Sequence, residues 1–497
     1  MNKIKYLILT IALVFIGIAG CKNQLEETVY SDLLTTNAYE TEEDAMAATA
    51  SVYAAMRYDY NGYYKATYIF VSEVPTDIGR EGWETTGGPD REMAVGTWSN
   101  ETDHIVTLWT AAYRMAGYAN AAIQGISLVD MDETLKNRLL GEVRFLRALA
   151  YYDLTFYFGD VPLNIDRNDE SLPLSPQSEV IAAIIKDLDF AVANLPNSYS
   201  EETGRATKGA ALSLRAKTNL NAHNWQAAAD DAKAVMDLGV NSLATSLAVL
   251  FDGDNRDNAE WIFTLKSLQN YDWNPYLAST LLSLWTVDYE FSSLGWTFTS
   301  VTNDFYRSFD LGDDRRGLIS NGFESGSTSN WNAIEGTPEY NNPPPGYTVS
   351  AMSGAGILKY VNPAGTSPYG AGNNFPILRY ADILLTRAEA LNELSGGSAE
   401  AVSLVNQVKA RSNAPLLGAG LSQTQLRDAI LDERGYEFFF EGKRRIDLIR
   451  HDKLISKWKA ALQARIPGAN FDYITKETHT YFPIPLEEID TNDNING

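Results

Sequence analysis

The 497-residue sequence contains a single cysteine and only four histidines. With Cys21 alone, no disulfide can form within the chain. His104, His223, His451 and His479 show neither the HExxH pattern nor another metal-ligand spacing. The sequence also lacks GxSxG, P-loop and GxGxxG motifs, which serve acyl transfer, phosphate binding and dinucleotide binding. We therefore expect no metal centre and no cofactor.

Basic residues are scarce compared with acidic ones. The chain has 40 Lys and Arg against 64 Asp and Glu, which gives a formal net charge of −24. A surface of this sign repels phosphate backbones and anionic lipid headgroups. The composition therefore argues against nucleic acid as a partner.

Long apolar runs are missing as well. The run Tyr6–Ile18 has 13 residues, whereas a membrane-spanning helix needs ~20. It follows Lys3 and Lys5 and precedes Ile-Ala-Gly-Cys21, which resembles a bacterial lipoprotein box. We predict a signal peptide over 1–20, lipidation of Cys21 and a polar tether over 21–40, with the remaining body held at a membrane by lipid.

Helical periodicity dominates the chain from Thr41 onward. Apolar residues recur at helical spacing over 135–158, and Gly159 and Pro162 end that pattern. The other predicted helices lie at about 42–58, 101–126, 178–195, 207–222, 225–238, 380–394, 399–410 and 426–440.

Two helical pairs, 207–240 and 380–413, are each 34 residues long, which is the tetratricopeptide period. Arg215-Ala216 and Arg387-Ala388 occupy nearly equivalent places in them, and Arg147-Ala148 lies 68 residues, or two periods, before the first. Because the pairs are so far apart, we expect them not to form one tandem array. The segment between them is then an insertion beside the helical scaffold.

That insertion, 241–376, is rich in Gly, Pro, Asn, Ser and aromatic residues, and Trp261–Leu265 alternates as a short strand. We predict a mainly α fold: tetratricopeptide-like hairpins form a scaffold, and a large irregular region carries short strands. The predicted regions are an N-terminal helical region over 41–240, the insertion over 241–376 and a C-terminal region with a further hairpin over 377–497.

Aromatic residues in polar loops are the main functional signal. A flat ring can stack on the C–H face of a sugar, while short polar side chains bond its hydroxyl groups. Three loops and one adjoining segment fit this chemistry, and the predicted binding residues are Asp77, Arg80, Trp83, Trp273, Tyr289, Trp296, Asn330 and Trp331. The alternative is that these rings pack beneath long loops. Trp109, Trp225 and Trp261 lie in regular patterns, and we expect them in the core.

Glu433, Glu437 and Glu441 share one helical face at four-residue intervals. A glycosidase needs two carboxylates at a set separation, but nothing in the sequence selects such a pair. Basic residues stand nearby at Arg434, Lys443, Arg444 and Arg445, so we predict a structural ion-pair network and no catalytic residue.

Five segments occur together in one order along the chain: FLRALAYYDLTFYFGDVPL (145–163), SFDLGDDRRGLI (308–319), ILRYADILLTRAEALNEL (377–394), DERGYEFFFEGKRRIDLIR (432–450) and YFPIPLEEIDTNDNI (481–495). In this set the chain resembles the SusD/RagB family of surface nutrient-uptake lipoproteins. Asp382 and Asp493 stand where that family more often has Glu and Pro.

The resemblance implies a helical body with tetratricopeptide-like hairpins, anchored by lipid to the outer membrane and facing outward. It also implies a partner, a SusC-class TonB-dependent transporter, and an oligosaccharide ligand that is bound and not cleaved. Three alternatives remain open: a peptide-binding member of the same family, a surface-anchored glycoside hydrolase, and a purely architectural protein without a soluble ligand.

Overall fold

Long helices are the main elements of the computed structural model. It describes residues 39–57, 66–81, 88–165, 171–200, 204–251, 257–266, 299–319, 374–495 and short pieces at 323–324, 330–333, 335, 337–342, 348–351 and 354–360. The predicted signal peptide and Cys21 lie outside these ranges. Within them, no helix combines the length and the apolar character needed to cross a bilayer.

In chain order the helices are α1 Glu42–Ala55, α2 Tyr68–Ser72, α3 Pro89–Val95, α4 Asp103–Leu128, α5 Glu133–Phe158, α6 Gln177–Asn194, α7 Lys208–Asn221, α8 Trp225–Leu238, α9 Leu247–Leu250, α10 Asn303–Ser308, α11 Pro338–Asn341, α12 Tyr380–Ser395, α13 Ala399–Arg411, α14 Gln423–Phe438, α15 Arg444–Arg450, α16 Leu454–Arg465, α17 Lys476–His479 and α18 Leu486–Thr491. The strands are β1 Gly79–Glu81, β2 Val161–Pro162, β3 Leu174–Ser175, β4 Trp261–Leu265, β5 Thr299–Val301, β6 Phe323–Glu324, β7 Asn330–Ala333, β8 Thr348–Ala351 and β9 Phe375–Arg379.

Local capping explains where several helices begin. The Thr41 side chain accepts the amide of Asp44, and the Asp44 carboxylate accepts the amide of Thr41, which forms a capping box at α1. Asp132 caps α5 by accepting the amide of Leu135. Helix α5 ends at Gly159, whose φ of 80° suits glycine.

The two predicted 34-residue pairs are helical hairpins, α7–α8 and α12–α13. Helix α8 packs directly against α12. The two pairs are therefore neighbours in space, although they are not consecutive in sequence. The chain leaves the scaffold after the first hairpin and returns to stack the second against it.

The three Arg-Ala positions have the same role in three hairpins. Arg147 on α5 donates to Asp187 on α6 at 2.7 and 2.8 Å. Arg215 on α7 binds Asp231 on α8 at 2.9 and 2.6 Å, and Arg387 on α12 binds Glu400 on α13 at 2.7 Å. In each pair the arginine on the first helix holds a carboxylate on the second.

The insertion closes on itself through an antiparallel pair, β4 with β9. Trp261 is opposite Arg379 and Leu265 is opposite Phe375, so the chain enters and leaves the insertion at the same place. The other described pairs are β1 with β5, β2 with β3, and the sheet β6–β7–β8. The fold is therefore mainly α with short strands, as predicted.

A buried ion network lies where β9 meets α14. Glu433, Glu437 and Glu441 are each at most 1% exposed. Glu437 bonds Arg379 and Arg411 and lies 3.1 Å from Arg315. The prediction that these glutamates form an ion-pair network is confirmed.

The prediction of which basic residues pair with these glutamates was mostly wrong. Of the four basic residues on the same segment, Lys443 alone lies near one of the three glutamates, at 3.8 Å from Glu441. Arg434 pairs with Asp382 and Asp447, and Arg444 pairs with Asp77. Arg445 donates to the carbonyl groups of His479 and Thr480. The partners come from distant parts of the chain instead.

Candidate functional site

The segment that carries Asp77 and Arg80 is fixed against the start of α10. The Thr302 hydroxyl donates to the carbonyl oxygen of Asp77 at 2.8 Å, and the Thr302 amide donates to that of Ile78 at 2.9 Å. Strand β1 then pairs with β5, with Gly79 opposite Val301 and Glu81 opposite Thr299. Asp77 and Arg80, two of the eight predicted binding residues, are therefore held in place by contacts with Thr302 and β5.

Gly79 sits where the backbone turns close to the end of α2. A Cβ atom at this position would lie 2.5 Å from the carbonyl oxygen of Glu73 and 2.7 Å from its carbon. These are backbone atoms, so a larger residue must push the whole turn aside.

We expect Gly79→Ala to lower the free energy of unfolding by about 1–3 kcal/mol, as overpacking does elsewhere. Chemical denaturation measures this change. Gly117→Ala is the matched control, because a Cβ atom added at this position in the interior of α4 would meet nothing within 4 Å. It should instead stabilise the protein by about 0.5–1 kcal/mol. Equal stability of Gly79→Ala and the wild type would contradict the close approach.

Asp77 lines a cavity of about 340 Å³, here called the Asp77 cavity. Arg444 binds its carboxylate with two parallel hydrogen bonds of 2.8 and 2.7 Å, and Lys457 lies 3.6 Å away. Burial opposes ionisation of Asp77, but the charge and hydrogen bonds of Arg444 outweigh it and lower the pKa of this carboxyl group. Asp77 is therefore a fixed anion in the wall of the cavity.

An aromatic wall faces the same cavity. Tyr436 is half-buried there, and its ring stacks on Phe305 with centroids 5.8 Å apart and an interplanar angle of 21°. Its hydroxyl donates to the carbonyl of Ser308 at 3.1 Å. The cavity thus combines a ring with carboxylate and ammonium groups, which is the chemistry expected of a sugar site.

A second cavity of about 230 Å³ adjoins the first, and both are lined by Asp304 and Ala461. We call it the arginine cavity, because Arg80, Arg307 and Arg465 line it. Arg80 is only 1% exposed, and its Nε donates to the carbonyl of Glu81. The prediction that Arg80 stands in an open loop is corrected: it belongs to the wall of this cavity.

Four predicted aromatic residues, Trp83, Trp273, Tyr289 and Trp296, lie outside the described residues. Their sequence positions relative to the β1–β5 pair are still informative. Glu81, the last residue of β1, is opposite Thr299, the first residue of β5. The chain leading to Trp83 and the chain coming from Trp296 therefore join the same end of this antiparallel pair.

Asn330 and Trp331 belong to β7, the central strand of the sheet β6–β7–β8. Trp331 is opposite Glu324 on β6 and Val349 on β8. The expectation that these residues stand in an irregular loop was wrong, since the backbone here is a paired strand. The segment that follows reaches the arginine cavity, because the Glu335 carbonyl accepts Arg307 at 2.6 Å.

The tryptophans assigned to the core differ in burial. Trp109 is 5% exposed, as expected, whereas Trp225 and Trp261 are half-buried. Trp225 stacks on His223 with centroids 4.7 Å apart, and Trp261 packs edge-on against Phe251. Both rings therefore cover the edge of the core, and neither lines the two adjoining cavities.

Most residues that line the two cavities were not predicted as binding residues, among them Asp304, Arg307, Tyr436, Lys457 and Arg465. Tyr436 and Arg444 belong to the segment 432–450, which the sequence analysis singled out for its family resemblance. Nothing in that segment indicated that these two residues line a cavity. The other four lie on α10 and α16, where no pattern distinguishes them from ordinary surface residues.

Two family models match the chain. One, described as the SusD family, matches residues 293–496. The other, described as starch-binding and associating with the outer membrane, matches residues 87–220. Residues 221–292 lie between the two matched regions. Together these regions contain Arg147, Arg215 and Arg387, the arginines of the three Arg-Ala positions.

Similar proteins match over most of their length. SusD-like protein P2 of Formosa agariphila is 29% identical over 470 residues, 90% of this chain and 90% of that protein. Starch-binding protein SusD of Bacteroides thetaiotaomicron is 25% identical over 504 residues, 88% of this chain and 85% of that protein. The structure of a laminarin-binding SusD-like protein is 24% identical, with a TM-score of 0.73 over 91% of this chain and 98% of that chain, and shows a shared fold.

Proposed function

The chain belongs to the SusD family, and from this premise we propose that it captures oligosaccharides at a cell surface without cleaving them. The observation that carries the proposal is the pair of adjoining cavities beside β1, where charged side chains and an aromatic wall lie close together. Relatives whose names state starch or laminarin binding support a glycan ligand.

We assign Asp77 and the Asp77 cavity to the binding of sugar hydroxyl groups. Trp83, Trp273, Tyr289 and Trp296 are proposed as stacking rings, and Asn330 and Trp331 as a further contact from β7. A tryptophan face matches the C–H face of a pyranose, and carboxylate and amide groups bond its hydroxyls. Arg80 is retained as a residue of the cavity wall.

Binding without hydrolysis is supported by the state of the carboxylates. A glycosidase needs one carboxylic acid with a raised pKa beside a second carboxylate. Asp77 is held as an anion by Arg444, Asp432 lies 3.5 Å from Lys457, and Asp304 pairs with Arg307 at 3.1 Å. Each carboxylate in the Asp77 cavity thus has a cationic partner.

The proposed location is the outer membrane, with the protein anchored through a lipid on Cys21 and facing outward. The proposed partner is a SusC-class TonB-dependent transporter, to which the captured oligosaccharide passes. The description of the family model that matches residues 87–220 supports the association with the outer membrane.

We expect Trp83→Ala and Trp331→Ala each to weaken glycan binding about tenfold or more. A stacked aromatic ring contributes about 1–2 kcal/mol, and 1.4 kcal/mol corresponds to a factor of ten. A glycan array identifies the ligand, and isothermal titration calorimetry of each variant measures the change in affinity.

Tyr118→Ala is the control, because Tyr118 is a 48% exposed aromatic residue on α4 that lines neither cavity. It should bind the glycan like the wild type. Unchanged affinity in both tryptophan variants would show that the proposed rings are not the site. Binding confined to a peptide pool, or release of reducing ends from a polysaccharide panel, would contradict the proposed function itself.

A further inference from the structure

The arginine cavity has a charge opposite to that of the chain as a whole. Three guanidinium groups line it, Arg80 from β1, Arg307 from α10 and Arg465 from α16, whereas Asp304 is its one lining carboxylate among the described residues. The full sequence has 64 acidic and 40 basic residues. Among the described residues, cationic groups therefore outnumber carboxylates in this cavity, although the chain as a whole is acidic.

The ion pairs beside the arginine cavity do not neutralise its excess of positive charge. Glu81 contacts Arg465 and also pairs with Arg91 at 2.6 Å. When Glu81 and Arg91 are included, four guanidinium groups face two carboxylates. In a partly enclosed cavity, water screens such an excess less than it does on an open surface.

Hydrogen bonds hold the side chains of Arg307 and Arg465 in position. Arg307 donates through Nη2 and Nε to the Glu335 carbonyl at 2.6 and 3.2 Å and through Nη1 to Asp304 at 3.1 Å. Arg465 uses Nη2 for Glu81, and its Nε and Nη1 form no hydrogen bond to any residue that the structure describes. Arginine carries five N–H donors, so Arg465 retains donors for a ligand.

The arginine cavity is of a size that suits a substituent of a ligand better than a whole ligand. Its 230 Å³ is below the ~300 Å³ at which sites for drug-sized molecules begin, whereas the adjoining Asp77 cavity is larger, at 340 Å³. Because Asp304 and Ala461 line both, a sugar ring in the Asp77 cavity can direct a substituent into the arginine cavity.

We propose that the arginine cavity binds an anionic substituent of the glycan, either the carboxylate of a uronic acid or a sulfate ester. This inference rests on the proposed function and names its ligand class. Guanidinium groups match the oxygen geometry of both anions and form charge-assisted hydrogen bonds with them. A neutral hydroxyl group would leave the excess positive charge uncompensated, so the cavity selects charged glycans over neutral ones.

An array of neutral, uronate-containing and sulfated oligosaccharides tests the proposal with the whole protein. We expect the strongest signals from charged members. A charged hit is then titrated calorimetrically against its own neutral form, obtained by desulfation or by reduction of the carboxyl group. The charged form should bind about tenfold more tightly, and this preference should shrink as salt is added. The hit that responds also distinguishes uronate from sulfate.

Arg307→Gln should reduce the preference for the charged form several-fold, because two of the three lining arginines remain, and Arg307→Lys should restore part of it. Arg427→Gln is the matched control, because it removes an arginine that pairs with Glu393 outside both cavities and should keep the preference. Binding of neutral members alone, or a preference that is undiminished in Arg307→Gln, would overturn the anionic ligand class and leave glycan capture standing. Absence of binding to every glycan would overturn both.

Discussion

Arg379→Met is expected to lower the free energy of unfolding by about 3–5 kcal/mol. Arg379 is fully buried and binds three carboxylates, at 2.6 Å to Glu260, 2.6 Å to Glu437 and 2.7 Å to Glu441. Methionine fills much of the same volume but provides no charge. Removing one partner of a buried ion network leaves uncompensated charge in a medium of low polarity, which accounts for the size of the loss.

Unfolding in urea at neutral pH measures this loss. Arg427→Met is the comparison, since Arg427 pairs with Glu393 near the surface, where such pairs contribute at most about 1 kcal/mol. The double variant Arg379→Met/Glu441→Gln should recover part of the stability, because it removes one of the orphaned charges. A single variant within about 1 kcal/mol of the wild type would show that the network is not a main source of stability.

The helical scaffold could be predicted because its information is local. Periodicity, caps such as Thr41 and Asp132, and stops such as Gly159 each act over a few residues. The repeat of Arg-Ala positions was visible in sequence as well. Its meaning was not, since the partners Asp187, Asp231 and Glu400 follow their arginines at 40, 16 and 13 residues, with no common spacing.

The ion network shows where local inference fails. The sequence places basic residues beside Glu437, and neighbours in sequence were the natural partners to expect. Their side chains point into other contacts, while Arg315, Arg379 and Arg411 reach Glu437 from 122, 58 and 26 residues away. On a buried helix, the partners are set by which elements pack against each face, and that is a property of the tertiary fold.

The candidate site depends on long-range pairing in the same way. Glu81 and Thr299 are adjacent in the β1–β5 pair but more than 200 residues apart in sequence. Loop composition could single out Asp77 and the aromatic residues near it. It could not show that Arg307 and Arg465 meet Arg80, because α10 and α16 are far apart in sequence and come together only in the tertiary fold.

Glu73 is a buried carboxyl group between the Gly79 turn and the start of α15. It is fully buried at the end of α2, and its Oε1 accepts the amides of Gly442 and Lys443 at 2.7 and 2.9 Å. Its Oε2 has no hydrogen-bond donor among the described residues. Burial raises the pKa of Glu73 to about 7, although these backbone amides and the charge of Lys359 act in the opposite direction.

The sign of the pH effect follows from this shift. Between its ordinary pKa of 4.5 and about 7, the folded protein keeps a proton on Glu73 that the unfolded chain has released. The free energy of unfolding should therefore fall as pH rises through this window and level off above it. The contribution of Glu73 to this fall is roughly 3 kcal/mol, from 1.36 kcal/mol per unit of pKa shift.

Glu73→Gln should remove this contribution, because glutamine has a similar shape and does not titrate. Urea denaturation at pH 4.5 and pH 8 should show a smaller fall in stability for the variant than for the wild type. Asp44→Asn is a control of opposite sign: hydrogen bonds from the Thr41 and Glu40 amides lower the pKa of Asp44, so its contribution to stability is lost as pH falls. Equal pH dependence in Glu73→Gln and the wild type would contradict the raised pKa of Glu73.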